Sequence, residues 1–138
     1  MPLYLADTSA WRRSGVRGDI ADRWEALLER GRLAICAPVE LELLYSARSP
    51  DDYELLRGDL DGLPWLTLDA TAETLAGRAQ ARLAERSQHR GPGPIDLLIA
   101  GIAEAQGAIL LHYDRHFDTI AAVTGQSVEW LAPRGSLR

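Results

Sequence analysis

Leu3-Tyr4-Leu5-Ala6-Asp7 is a short apolar run that ends on an acid and is followed at once by a helical pattern over about Thr8–Arg13. The arrangement returns at Ile109-Leu110-Leu111-His112-Tyr113-Asp114, with helical Phe117–Thr124 behind it. Short apolar runs bounded by helical segments read as buried strands. Working outward, Leu33–Cys36, Trp65–Leu68 and Val128–Leu131 read as further strands. Helices are predicted over Asp19–Arg30, from Pro38 to about Arg48, from the Ser49-Pro50-Asp51-Asp52 cap onward, over about Thr71–Arg86, and from Pro94 to Gln106. Proline suits a first helical position because the N–H it lacks has no helical acceptor there, and Ser49 is a good N-cap. Strands alternating with helices predict an α/β fold with a mostly parallel sheet covered on both faces. In such sheets the ligand crevice lies beyond the carboxyl ends of the strands. The positions of the acids therefore become evidence.

The bulk properties narrow the function classes. A chain of 138 residues suits a single domain over 1–138, with 131–138 as a short C-terminal tail. No apolar run approaches the roughly 20 residues of a membrane span, and the first residues lack the basic-then-apolar pattern of a secretory leader. Cys36 is the only cysteine, so no internal disulfide forms. A cytoplasmic location and a buried structural thiol are the expectations. The net charge of −5 argues against a broad basic nucleic-acid face, though not against RNA met at one local site. All 15 basic residues are arginine, and there is no lysine.

Asp7 and Asp114 both fall at carboxyl ends of predicted strands, where an aspartate also serves as an N-cap. Asp96 lies one turn into the apolar helix Pro94-Ile95-Asp96-Leu97-Leu98-Ile99-Ala100. The helix N-terminus favours an acid there by only about 0.3–1 kcal/mol. Burial against apolar neighbours costs more unless the carboxylate has a partner. In Pro38-Val39-Glu40-Leu41-Glu42-Leu43-Leu44-Tyr45 both glutamates compete, and periodicity does not separate them. Glu40 falls in the first turn, where a cap explains it, so position favours Glu42. Four carboxylates in one pocket repel and raise their own pKa values. Hard divalent cations relieve this, activate water, and neutralise charge on a phosphoryl group under attack. That chemistry is phosphodiester hydrolysis to a 5′-phosphate and a 3′-hydroxyl.

Four stretches carry a family resemblance: Leu5-Ala6-Asp7-Thr8-Ser9-Ala10, Glu40 through Arg48, Pro94 through Ala100, and His112-Tyr113-Asp114-Arg115-His116-Phe117. In this order and spacing the chain resembles the VapC-type PIN-domain ribonuclease toxins of bacterial type II toxin–antitoxin pairs, from about Tyr4 to Leu131. The resemblance implies a PIN-like three-layer α/β/α fold and a Mg2+- or Mn2+-dependent endoribonuclease. It implies RNA as substrate, a cognate VapB-like antitoxin as partner, a homodimer, and no membrane association. Asp7, Glu42, Asp96 and Asp114 would be the catalytic, metal-binding quartet, and Ser9 would orient a water at the metal. Many relatives carry a second acid where this chain has His116, which makes Asp118 the candidate outer or second-metal ligand.

Arg12, Arg13, Arg90 and Arg115 are the candidate RNA phosphate contacts, each weighed against an ordinary solvated surface. Trp11 could stack a base but reads better as packing, as do Trp24, Trp65 and Trp130. His112, on a buried strand, reads as structural. A receiver or haloacid-type phosphatase would also set aspartates at strand ends around magnesium, yet both need a lysine at the phosphoryl group. A PIN-fold interaction module, and an RNA-processing nuclease outside a toxin–antitoxin pair, are the alternatives.

Overall fold

The structure, a computed structural model, describes residues 2–137. Among them are four strands, β1 (Tyr4–Ala6), β2 (Leu33–Ala34), β3 (Ile109–His112) and β4 (Val128–Trp130). The helices are α1 (Thr8–Trp11), α2 (Gly18–Glu29), α3 (Ala37–Tyr45), α4 (Pro50–Leu60), α5 (Ala70–Glu85), α6 (Pro94–Gln106) and α7 (Arg115–Thr124). The sheet is parallel throughout, in the order β2-β1-β3-β4, with Leu5 opposite Ala34 on one side and Leu110 on the other. Side chains alternate across it as the pleat requires. Leu5, Ala34 and Leu110 enter a core shared with α3, α5, α6 and α7, while Ala6, Leu33 and Leu111 pack toward α1 and α2. The result is the expected three-layer α/β/α arrangement.

The strand expected over Trp65–Leu68 shrinks to one parallel bridge between Ile35 and Trp65. The Pro64 carbonyl accepts from the Ile35 N–H, the Leu66 N–H donates to the Ile35 carbonyl, and pairing then stops. Asp69 ends it by capping α5 through its side chain, which accepts from the Ala72 N–H at 2.9 Å. Two helix ends also differ from expectation. Helix α3 closes at Tyr45, since Ser49 precedes a proline and must be extended (φ −156°, ψ 164°). Helix α7 starts at Arg115 because Asp114 caps it.

Helices α5 and α6 approach closely at Gly101, where a Cβ would lie 2.5 Å from the Ala72 carbonyl oxygen and 3.2 Å from the Ala76 Cβ. Gly101→Ala is therefore expected to cost about 1–3 kcal/mol, since both obstructing groups belong to a packed helix. Urea titration checks this: the midpoint should fall at constant slope. No described helix is long and apolar enough to cross a membrane.

Candidate active site

The order β2-β1-β3 makes the gap between β1 and β3 the switch point of the sheet, because the chain leaves β1 for β2 on one side and returns to β3 on the other. Asp7 and Asp114 stand at that gap. Asp7 caps α1, its Oδ1 accepting from Ser9 Oγ at 2.6 Å and the Ala10 N–H at 3.3 Å. It is 4% exposed. Burial pushes its pKa up to about 6, against the pull of the Ser9 and Ala10 hydrogen bonds, with Asp96 adding repulsion. Ser9 Oγ also accepts from the Tyr113 N–H at 2.9 Å, tying together the ends of β1 and β3. Its one proton is committed to Asp7, so it can meet a water only as an acceptor.

Glu42 reaches the site from α3. Thr8 Oγ1 donates to Glu42 Oε1 at 2.8 Å across 34 residues of sequence. Of the two glutamates, Glu42 is the one with a described hydrogen bond to the residue that follows Asp7. Thr8 is buried, and its role was not legible from the sequence because nothing local links it to α3. Asp96 arrives by helix direction. Helix α6 runs back along the sheet for about 20 Å before β3 begins, so its first turn lies at the carboxyl edge of the strands. Asp96 Oδ2 accepts from the Gly93 N–H at 3.1 Å. Burial raises its pKa, Gly93 and His116 oppose the rise, and Asp114 and Glu42 reinforce it.

Asp114 Oδ1 accepts from the His116 N–H at 2.9 Å. Its own N–H donates to His112 Nδ1 at 3.1 Å. His112 is fully buried, and burial lowers its pKa, with Asp118 and Asp114 opposing. The ring is neutral, with its proton on Nε2, 3.6 Å from Asp118 Oδ1. Asp118 Oδ2 accepts from Trp130 Nε1 at 3.0 Å. This carboxylate is thus committed to an indole beside a buried imidazole. Asp96, Asp114 and His116 instead each offer one ligand atom, all within 4.8 Å of one another.

Each of the four acids is fixed through one oxygen: Asp7 and Asp114 as helix caps, Asp96 on Gly93, Glu42 on Thr8. No hydrogen bond among the described residues reaches the second oxygen of any of them. No arginine among the described residues forms an ion pair with these carboxylates. The capping and the clustered arrangements thus coexist: capping orients each group and leaves one oxygen for a ligand. An oxygen-rich set in which burial raises the pKa of Asp7 and Asp96, with no arginine among the described residues paired to it, fits a hard divalent cation. The cluster also reaches Cys36, whose buried thiol is pushed up to about 11, mainly by burial, with Asp7 and Glu42 adding to it.

The arginines divide. Arg13 donates to the Ser9 carbonyl at 3.1 Å and lies over the Tyr113 ring at 5.1 Å. With Arg115, Arg134, Tyr113 and Trp130 it lines a cavity of about 420 Å³ next to Asp114. Arg134 was not among the sequence candidates, being in the tail. Tyr113 holds that tail, its hydroxyl accepting from the Leu137 N–H at 2.7 Å. Arg12 is exposed in a second cavity with Glu42, Pro38, Leu41, Tyr45 and Ile95. Arg90 is exposed in the turn before α6. Trp11 packs edge-on against Trp24, with 4.8 Å between ring centroids.

Residues 4–123 match the family model described as PIN domain. The chain is 43% identical over 137 residues to Ribonuclease VapC18 of Mycobacterium tuberculosis, covering 98% of this chain and 99% of the relative. It is 40% identical to Ribonuclease VapC51 of the same organism, covering 97% and 96%. Among solved structures, it resembles a chain of DNA-bound VapBC from Salmonella typhimurium with a TM-score of 0.78 at 24% identity, covering 96% of this chain and 100% of that one.

Proposed function

This chain belongs to the PIN-domain family of VapC ribonucleases, and from that premise we propose that it is a divalent-metal-dependent endoribonuclease whose site is Asp7, Glu42, Asp96 and Asp114. It acts as the toxin of a toxin–antitoxin pair, neutralised by a VapB-type antitoxin, and works as a homodimer. The observation that carries the site is the set of four carboxylates at the sheet's switch point, each anchored by one oxygen. Mg2+ or Mn2+ would be held there, by the oxygen donors those cations favour. When bound, the cation supplies a Lewis acid that activates water and neutralises charge on the phosphoryl oxygens.

The chain's own residues do the positioning. Ser9 locks the Asp7 carboxylate and the spacing of β1 and β3. Thr8 locks Glu42, and His112 fixes the Asp114 backbone. Arg13, Arg115 and Arg134 form the basic flank on which RNA phosphates would lie, beside the tyrosine and tryptophan rings. Because activated water is the nucleophile, the substrate 2′-hydroxyl is not consumed. Purified protein should cleave RNA to 5′-phosphate ends, lose this with a chelator, and regain it with manganese. One deoxy substitution at the cut should slow cleavage only modestly. Complete resistance, or a 2′,3′-cyclic phosphate product, would sink the reading.

Thr8→Val tests the positioning of Glu42. It removes the only described hydrogen bond to that carboxylate while keeping the side-chain shape. Manganese affinity should fall about 10- to 100-fold, as for other partners that orient metal ligands. Thermal stability should change by only about 1 kcal/mol. Calorimetric titration with manganese reads the first, and melting curves the second.

A further inference from the structure

Resting on the metal-dependent reading above, we infer that His116 is a nitrogen ligand of this centre, joining Asp96 and Asp114, and that it biases the site toward manganese over magnesium. The geometry comes from the start of α7. Asp114 caps the helix, so the residue two positions on is folded back toward the capping carboxylate. His116 Nδ1 lies 3.4 Å from Asp114 Oδ1. A ring nitrogen, an Asp96 oxygen and an Asp114 oxygen lie within 4.8 Å of one another, a spacing that one cation can bridge. The imidazole has no hydrogen-bond partner among the described residues, and it is only partly exposed.

Asp118, two residues further along α7, is not part of that group. Its carboxylate is held by Trp130 Nε1 at 3.0 Å and faces the buried His112 ring. His112 is equally unavailable, because its Nδ1 accepts from the Asp114 N–H. His89 lies exposed in the turn before α6. Of the three histidines, one is thus placed to ligate. Its chemistry has a consequence. Magnesium takes oxygen donors, demands near-ideal octahedral geometry and dehydrates reluctantly, whereas manganese, a larger and softer transition-metal dication, tolerates one imidazole nitrogen among carboxylate oxygens. An all-carboxylate site would discriminate less between the two ions.

The test uses the full chain and manganese itself. Pulsed electron paramagnetic resonance on the Mn2+-loaded wild type should show coupling to a 14N nucleus, replaced by a 15N pattern when histidine is labelled. His116→Gln should lose that coupling and bind manganese at least about tenfold more weakly. His116→Asp should retain tight binding while its preference for manganese over magnesium falls about tenfold. Asp96→Asn serves as the reference for loss of the centre. If wild type binds manganese with no nitrogen coupling, and Asp96→Asn abolishes that binding while His116→Gln leaves it unchanged, the centre is purely carboxylate and this inference falls alone. Coupling that persists in His116→Gln would assign the nitrogen elsewhere and also overturn it. Failure of wild type to bind manganese would remove the metal-dependent reading and this inference with it.

Discussion

Asp96→Asn is expected to lower RNA cleavage by about a thousandfold or more while leaving the metal-free protein at least as stable as wild type. Losing several kcal/mol of charge stabilisation at the phosphoryl group corresponds to that factor, at about 1.4 kcal/mol per decade. Stability should not suffer, because an asparagine oxygen can still accept from the Gly93 N–H, so the cap on α6 survives. Meanwhile repulsion with Asp114 and Glu42 disappears, and so does the cost of burying a charge. Wild type should gain about 2.7 kcal/mol of stability from manganese at a hundredfold excess over Kd, and the mutant should lose most of that gain. Melting curves of both proteins, with chelator and with manganese, separate this from a purely capping role. In the capping case the mutant would be weaker by up to about 1 kcal/mol, and neither protein would respond to metal.

The second large effect is the pH dependence of the metal-free protein through Asp7. Its pKa is about 6 in the fold, against 3.8 as an ordinary carboxyl group. Between these values the native state holds a proton that the unfolded chain has released. Stability therefore falls as pH rises from about 4 to about 6, and the full penalty persists above 6. A shift of this size corresponds to a penalty on the order of 3 kcal/mol at neutral pH. Asp7→Asn keeps the acceptor for Ser9 and Ala10 and removes the charge. It should raise the melting temperature of the chelated protein by several degrees at pH 8, with the gain shrinking toward zero near pH 4. It should also abolish cleavage. An equal shift at both pH values would show that Asp7 carries no buried-charge penalty.

Much of the fold was legible because its signals are local. Apolar runs at Leu3–Asp7 and Ile109–Tyr113, proline at the starts of α4 and α6, Ser49 as a cap, and Gly107 in the left-handed conformation (φ 65°) after α6 each act within a few residues. The strand expected at Trp65–Leu68 failed for a related reason. Its residues suit a strand, but strand length depends on a neighbour, and β2 offers it only Ile35 before α3 begins. Among the candidate phosphate contacts, Arg13 and Arg115 join the basic flank. Arg90, read from its nearness in sequence to Asp96, lies exposed in the turn before α6, outside the residues lining that flank.

By itself the sequence determined the α/β class, the placing of Asp7 and Asp114 at strand ends, and Asp96 in the first turn of an apolar helix. These follow from period, caps and helix direction, which need only a chain and its near neighbours. Tertiary structure alone decided which acids meet and how. Glu42 accepts from a hydroxyl 34 residues away, and Ser9 accepts from a backbone amide 104 residues away. His116 stands in the cluster, and Asp118 outside it, because Trp130 of the last strand brings its indole N–H to the Asp118 carboxylate. Such contacts depend on the order of strands in the sheet and on the packing of side chains between layers, so no local pattern encodes them.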